Sequence, residues 1–253
     1  MPEAETFAVL FVAGILGGIA NAVAGGGTFF TFPAFLAAGV APVAANASNS
    51  IAVWPGHALA AFGYREELSR HSSGILFSIS LALAGGIAGA FLATVISNGA
   101  FAKLIPFLLL LATLLFAFGD SLSTWVSRYG ELSRPNLLSR SLEFVIAIYG
   151  GFFGAGLGVI LMAGLLMLGV HDMQANNALK NLLGAVANSA AVVVFAVSGI
   201  VSWPHTAVAF TGAIIGGLLG ARFARWLSAT WLKRIVVITG LALSIYYFSL
   251  YYL

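Results

Sequence analysis

The most constraining feature of this chain is a lysine inside an apolar run that is long enough to cross a bilayer. The run extends from about residue 175 to 197, and Lys180 lies roughly 8 Å below its start at 1.5 Å per residue. A charge within lipid costs at least about 2.5–3.5 kcal/mol and usually marks a functional site. Helical spacing predicts one stripe of polar or small residues along this run: Asn177, Lys180, Asn181, Gly184 and Asn188.

The composition predicts an all-α polytopic membrane protein. Of 253 residues, 60% are hydrophobic and 8% are charged, against about 25% charged in soluble domains. The chain has no cysteine, which excludes disulfides, thiolate metal sites and cysteine-ligated iron–sulfur clusters. The net charge is only +3, and no basic cluster interleaved with aromatics indicates nucleic-acid binding. The acidic N-terminus lacks the basic region of a cleaved signal peptide, so we expect the first segment to remain.

Eight apolar segments are predicted, at about 7–38, 43–63, 73–97, 104–119, 142–168, 175–197, 206–226 and 235–253. The first and fifth are too long for simple spans and are interrupted by glycines, including Gly26, Gly27 and Gly156. Each is either one long tilted helix with glycines for close packing or a hairpin of two half-helices that meet near the membrane centre. Irregular backbone at that depth is tolerated only where it lines protein or a cavity.

The two halves of the chain align at an offset of about 131 residues, which indicates an internal duplication. The aligned polar pairs are Asn46 with Asn177, Asn49 with Lys180, Ser50 with Asn181 and His57 with Asn188. At the same offset the glycines at 85, 86 and 89 fall on those at 216, 217 and 220, in spacing that allows close helix packing. We therefore predict a first membrane repeat at 1–119, a cytoplasmic linker at 120–141 and a second repeat at 142–253.

The positive charges predict how the repeats are oriented. If the first and fifth segments are re-entrant, nine positive residues share one side, Lys103 alone lies on the other, and Lys180 is in the membrane, which accounts for all 11. Each repeat then crosses three times, so the two four-segment repeats must be inverted, a recurring transporter plan. The loops 64–72, 120–141 and 222–234 would be cytoplasmic and both termini external.

The polar stripes and glycine breaks predict a donor-rich cavity for a small oxyanion, without a cofactor. Helix N-termini beside the glycine clusters would add backbone N–H groups and partial positive charge. The candidate substrate-binding residues are Lys180, Asn181, Asn49, Ser50, Asn46, Asn177, His57, Gly26, Gly27 and Gly156. Three alternatives stay open: the lysine snorkels to the interface, the asparagines join helices, and the histidine is structural.

Transport fits these residues better than catalysis. An intramembrane enzyme would need paired acids, a histidine–acid pair or a metal cluster. Asp120 and Asp172 lie near loops, no acid is expected mid-membrane, and the four histidines are dispersed. No ATP-binding motif is present, so the expected protein is a secondary carrier, with an anion channel or uniporter as the alternative. His57, protonation of the anion or the membrane potential are the candidate driving forces.

With these motifs in place, nearly the whole chain resembles the TauE/SafE sulfite-exporter family of bacterial membrane transporters. The resemblance rests on four stretches: the glycines from 14 to 27, Ala47-Ser48-Asn49-Ser50, the glycines from 150 to 158, and Ala178-Leu179-Lys180-Asn181. It implies a multi-pass protein of the bacterial cytoplasmic (inner) membrane. It also implies export or uptake of sulfur-containing anions such as sulfite, sulfoacetate, thiosulfate or related organosulfonates. Association into a homodimer stays open.

Overall fold

A computed structural model describes residues 3–23, 25–63, 68, 75–129, 137–223 and 228–253. Regular structure in these residues is entirely helical. The helices are α1 (Glu3–Val23), α2 (Thr28–Ala37), α3 (Pro42–Gly63), α4 (Ile75–Val95), α5 (Asn98–Tyr129), α6 (Leu137–Phe152), α7 (Leu157–Met167), α8 (Met173–Val197), α9 (Trp203–Phe223) and α10 (Ala229–Tyr252).

These helices form a polytopic membrane protein. Six described helices are long and apolar enough to cross a membrane. Helices suit that solvent because their backbone N–H and C=O groups pair within the segment, and lipid offers no replacement partner. Large apolar side chains such as Phe77, Phe91 and Ile245 remain exposed on the outer surface, as expected of residues that face lipid. The polytopic helical class predicted from composition is confirmed.

The first and fifth segments are each two helices joined by a glycine-containing break, so the single-tilted-helix alternative is wrong. The described residues of the breaks are 25–27 and 153–156. Gly25 (φ +81°) and Gly154 (φ +76°) turn the chain at equivalent places, in a left-handed conformation that side-chain-bearing residues rarely adopt. After the first break, α2 folds back along α1. The proximity of the two helices is evident at Gly17, where an added Cβ would lie 2.7 Å from the Thr31 side chain.

Several predicted bounds need correction. The helix α1 has 21 residues, so it is a full-length helix and not the expected half-helix. Residues on both sides of the predicted 104–119 segment are helical as well, which gives α5 32 residues. The helices α5 and α6 therefore occupy both ends of the predicted linker 120–141. Four parts of the predicted cytoplasmic loops, 64–67, 69–72, 130–136 and 224–227, lie outside the described residues.

Glycines set the closest helix contacts, as the sequence predicts. A Cβ on Gly89 would lie 2.0 Å from the Ile148 carbonyl oxygen, and one on Gly216 would lie 2.0 Å from that of Ile15. The predicted packing role is therefore confirmed at both places. From one glycine contact to the next, the residue numbers rise on both helices of a pair. The helix α1 therefore runs parallel to α9, and α4 runs parallel to α6. Each broken segment thus packs on a helix of the other half.

Two further cross-half pairs, α3 with α8 and α5 with α10, are antiparallel, and each joins a helix to its own counterpart. Where α3 crosses α8, the Trp54 indole N–H donates to Ser189 Oγ at 2.8 Å. Along α5 and α10, Lys233 pairs with Asp120 at 2.6 Å at one end. At the other end the Tyr252 hydroxyl donates to the carbonyl oxygen of residue 103 at 3.1 Å. Each half therefore packs against the other through equivalent helices on the two sides of the α3–α8 crossing.

Candidate anion-binding site

A cavity of about 1190 Å³ opens between the two halves of the protein. Its wall combines the end of α1, the middle of α3, α5, the beginning of α7, the polar stripe of α8 and the beginning of α10. Both glycine breaks reach it, through Gly25 and Gly156. The irregular backbone of both hairpins therefore lines a cavity. Non-helical backbone within a membrane is tolerated at such a place.

The α8 stripe faces this cavity. Asn177, Lys180, Asn181 and Gly184 all line it. The Lys180 ammonium donates to Asn177 Oδ1 at 2.8 Å, one turn back on the same helix. The start of α8 is fixed by Asp172, whose carboxylate accepts from the backbone N–H groups of Gln174 and Ala175. An ammonium has three donors, so the bond to Asn177 leaves donor capacity directed at the cavity.

The beginning of α7 lies directly against this lysine. A Cβ on Gly158 would sit 3.8 Å from Lys180 Cδ, within ordinary contact distance. The N-cap residue Gly156 has φ +74° and provides no side-chain hydrogen bond to the helix. The first N–H groups of a helix have no partner within the helix and carry partial positive charge, so they bind anions. In the first turn of α7 the N–H groups of Leu157 and Val159 bond to the carbonyls of Gly154 and Gly156. The Lys180 ammonium is therefore the main donor at this place, with the positive end of the α7 dipole beside it.

The facing wall adds an amide that the sequence analysis did not select. Asn21 of α1 lines the cavity beside His57 and Gly56 of α3. Its amide nitrogen would lie 2.4 Å from a Cβ on Gly56, so the glycine makes room for it. In the sequence, Asn21 is a single amide within an otherwise apolar stretch. The predicted polar stripes did not include it. Of the predicted residues, five line this cavity: Lys180, Asn181, Asn177, His57 and Gly156.

Three of the four predicted residues of α3, Asn46, Asn49 and Ser50, are buried elsewhere in the protein. The Asn49 side chain bonds to the Thr31 hydroxyl, and its amide donates to Thr28 Oγ1 at 3.4 Å. The Asn46 amide donates to the Phe152 carbonyl at 2.8 Å, and Ser50 is buried. These side chains do not line the cavity.

The first glycine cluster is also mostly outside the cavity. A Cβ on Gly26 would press on Val236 at 2.8 Å, and one on Gly27 would press on the Gly17 carbonyl at 2.7 Å. Those two glycines therefore serve close packing, while Gly25 is the member of the cluster that reaches the cavity.

Asn46, Asn49 and Ser50 of the α3 stripe do not converge with the α8 stripe into one site, because they lie on opposite sides of the crossing. Trp54 meets Ser189 there. Lys180 precedes the crossing on α8 and Asn49 precedes it on α3, and the helices are antiparallel. At 1.5 Å per residue the two side chains are separated by about 20 Å along the helix axes. In this conformation Asn49 is therefore separated from Lys180, while His57 of the same α3 stripe lines the cavity together with the α8 stripe.

The counterpart of the cavity in the other half is filled with apolar side chains. At an offset of about 130 residues, the parts of the cavity wall on α5, α7 and α10 correspond to members of one buried apolar cluster, which include Phe29, Phe32, Phe101, Ile105 and Tyr247. Phe32 packs edge-on against Phe153 with centroids 5.5 Å apart. One half is thus open around Lys180, while the equivalent half around Asn49 is closed.

Cationic side chains stand at the mouth of the open half. Lys233 and Arg234 line it together with Asp120 and Trp231. Lys233 is paired with Asp120, and the Arg234 guanidinium lies 5.1 Å from the Trp231 ring centroid. A cavity with cations at both its mouth and its floor raises the local anion concentration.

A buried acid, Glu143, lies near the start of the fifth predicted segment. Glu143 is 6% exposed. It sits about 9 Å along α6, a depth comparable with that of Lys180 in α8. The predicted fifth segment begins at 142, which places Glu143 at its end, whereas α6 begins five residues earlier, at Leu137.

Comparison with known protein families identifies the family of this chain. The family model described as "Sulfite exporter TauE/SafE" matches residues 10–247, which include both hairpins, the α8 stripe and the cavity. The chain belongs to the TauE/SafE family. The resemblance inferred from the glycine clusters and polar stripes is confirmed.

Relatives of this TauE/SafE chain carry transporter names. It is 29% identical over 94% of its length to "Probable membrane transporter protein ORF9" of Sinorhizobium sp, of which it covers 90%. It is 28% identical over 92% of its length to a "Probable membrane transporter protein" of Haemophilus influenzae, with 91% of that protein covered. Identity to the Escherichia coli (strain K12) "Probable membrane transporter protein YfcA" is 25% over 93% of this chain and 87% of that one. No solved structure matches. The protein is a membrane transporter and not an enzyme.

Proposed function

We propose that this TauE/SafE protein is a secondary transporter of small sulfur-containing anions, such as sulfite, sulfoacetate or related organosulfonates, across the bacterial cytoplasmic membrane. The observation that carries the proposal is the Lys180 ammonium beside the uncapped N-terminus of α7, within a cavity open at one end. The family description, a sulfite exporter, supports sulfur oxyanions as the substrate class. Sulfonate and sulfite groups present several acceptor oxygens, which match the ammonium, the amides and the backbone N–H groups of the site.

We further propose that the two halves are inverted repeats. If the repeats were related by an axis along the membrane normal, counterpart helices would run parallel. The counterpart pairs α3–α8 and α5–α10 instead run antiparallel, with contacts such as Trp54–Ser189 and Asp120–Lys233. A two-fold axis in the membrane plane accounts for these antiparallel pairs. The folding back of α2 along α1 agrees with such an axis, because it leaves three crossings in each repeat.

Inverted repeats give a mechanism of alternating access. The half around Lys180 is open and the half around Asn49 is sealed by phenylalanines, so this conformation exposes the cavity on the side of Asp120 and Lys233. The charge distribution assigns that side to the cytoplasm. If the two halves exchanged conformations, the cavity around Lys180 would close and an equivalent cavity around Asn49 would open. The sealed half favours a carrier over a channel, the alternative function, because a channel needs one continuous path.

Counterflow in proteoliposomes tests this function. Vesicles loaded with millimolar unlabelled sulfoacetate and diluted into trace ³⁵S-labelled sulfoacetate are expected to accumulate label transiently, because a carrier exchanges substrate across the membrane. Sulfite, thiosulfate and chloride inside the vesicles form the specificity panel. Label that equilibrates without an overshoot would indicate a channel. Absence of any protein-dependent flux with all the sulfur anions would contradict the proposed substrate class.

A further inference from the structure

Asn21 of α1 and His57 of α3 line the cavity, yet neither side chain has a hydrogen-bond partner in the part of the chain that the structure describes. Other amides of the membrane segments are bonded to the protein. Both amide atoms of Asn49 bond to threonine hydroxyls, and Asn177 accepts from the site lysine. A polar group at membrane depth without a protein partner must be met by water or by a ligand. Asn21 and His57 are therefore candidates for contact with the substrate.

These side chains lie deeper in the protein than the site lysine. The Asn21 amide rests against Gly56, where the missing side chain leaves space for it. Gly56 and His57 follow the α3–α8 crossing by two and three residues on α3, whereas Lys180 precedes it by nine residues on α8. The helices are antiparallel, so both places are on the same side of the crossing, at levels about 9 Å apart. The Lys180 ammonium bonds to Asn177, one turn farther from the crossing, which widens the separation.

The repeat counterpart of His57 also carries an unpartnered polar group. At the offset of 131 residues, His57 corresponds to Asn188 of α8, which is one residue from the crossing. Asn188 is 5% exposed, and its amide oxygen has no hydrogen-bond partner among the described residues. In this conformation His57 faces the open cavity while Asn188 is buried, and an exchange of conformations between the halves would reverse this arrangement. Each half therefore places a polar side chain within one turn of the crossing.

The chemistry of this place suits an anion site that holds its ligand briefly. The Asn21 amide and the His57 ring offer N–H donors to the oxygens of a sulfonate or sulfite group. The charged side chains of the cavity lie at Lys180 and at the mouth. Hydrogen bonds from neutral donors are weaker than those from an ammonium, so an anion leaves these donors more readily than it leaves Lys180. Transport requires such weak binding, because the substrate must leave as well as enter.

We propose that Asn21 and His57 form a second binding site for the sulfur oxyanion, through which the anion passes between Lys180 and the opposite half of the protein. This inference rests on the carrier function proposed above. Lys180 captures the anion from the open side, and the inner site then holds it beside the α3–α8 crossing. When the halves exchange conformations, an anion beside the crossing becomes accessible from the other side, where Asn188 takes the place of His57.

Separate measurements of binding and flux distinguish the two sites. In Asn21→Ala and His57→Ala the site lysine is intact, so the purified proteins should bind ³⁵S-labelled sulfoacetate within about twofold of the wild type. Counterflow in proteoliposomes should fall about fivefold in each variant, the effect of one neutral hydrogen bond, and further in the double variant. Ser123→Ala changes another part of the cavity wall and should match the wild type in both measurements.

Two results of these measurements would overturn the inner site. Wild-type counterflow in the double variant would show that transport does not use these donors. A parallel loss of binding and counterflow would assign Asn21 and His57 to the Lys180 site itself. If the wild type shows no counterflow, the carrier function fails, and the protection measurement below still decides whether the inner site exists.

Protection of an introduced thiol locates the inner site without any transport. Ala22→Cys places a thiol on the cavity wall next to Asn21, in a chain that has no other cysteine. Sulfoacetate at high millimolar concentration should slow its reaction with a maleimide even in a Lys180→Ala background, relative to chloride at equal ionic strength. Adding Asn21→Ala should remove this protection. Protection that requires Lys180, or that persists without the Asn21 amide, would show that the inner end of the cavity holds water only.

Discussion

Two adjacent glycines of α9 provide a sharp test of the packing between the halves. A Cβ on Gly216 would lie 2.0 Å from the carbonyl oxygen of Ile15 and 2.8 Å from its Cα, whereas one on Gly217 would meet nothing within 4 Å. Ordinary contacts begin at 3.4 Å, so Gly216→Ala must part α1 and α9 by about 1.4 Å (3.4 − 2.0). The obstacle is backbone, so no side-chain rotation relieves it.

The expected cost follows from these distances. Overpacking a well-packed contact typically costs about 1–3 kcal/mol. Gly217→Ala is the matched control, and it should be neutral or stabilise by up to about 1 kcal/mol, because alanine favours the helix where space allows. The two variants should thus differ by about 1–4 kcal/mol, or roughly 2–15 °C in midpoint for a chain of this size. Thermal unfolding of the detergent-purified proteins, followed by size-exclusion chromatography, measures the difference. Equal midpoints for the two variants would refute the close approach of α1 and α9.

Three further predictions concern the cavity. Gly158→Leu should abolish sulfoacetate binding without loss of folded yield, because its side chain fills the space beside the site lysine; undiminished binding would contradict the site. Asp120→Asn frees Lys233 and should raise the initial uptake rate at low salt but not at high salt, since screening weakens exposed charges; its effect on stability should stay below about 1 kcal/mol. Ser123→Cys, in this cysteine-free chain, should react with an impermeant maleimide in inside-out vesicles, and reaction in intact cells would contradict the orientation.

The sequence was sufficient for features that depend on local chemistry. The breaks at Gly25 and Gly154 were predictable because a left-handed backbone conformation favours glycine. The close contacts at Gly89 and Gly216 were predictable from their spacing. The cavity-facing stripe around Lys180 was visible as helical periodicity within one segment.

Features that depend on contacts between distant segments were not predictable in the same way. The separation of Asn49 from Lys180 follows from where α3 crosses α8, and no local pattern specifies that point. The contact of Gly158 with the lysine depends on how α7 folds back after its break. Glu143 was missed because two leucines before Arg140 extend α6 toward its N-terminus, which places the acid deeper than its position in the apolar run suggests. Each of these features depends on tertiary placement or on the position of a helix boundary.

The most direct test of the account is the affinity of Lys180 variants for a sulfur anion. A charge-assisted hydrogen bond is worth about 1.5–3 kcal/mol, so Lys180→Ala and Lys180→Gln should weaken sulfoacetate binding by roughly ten- to a hundredfold. Lys180→Arg should retain part of the affinity, since it keeps the charge but changes the shape. Lys103→Ala, which removes a lysine outside the cavity, serves as the control and should bind like the wild type.

Binding of ³⁵S-labelled sulfoacetate to purified proteins at matched folded yield decides the question. The account predicts weak binding by the alanine and glutamine variants, intermediate binding by the arginine variant and unchanged binding by the control. A lysine that merely extends to cytoplasmic water would leave the affinity of Lys180→Gln within about twofold of the wild type. Unchanged affinity in all three Lys180 variants would contradict the assignment of the cavity beside α7 as the anion site.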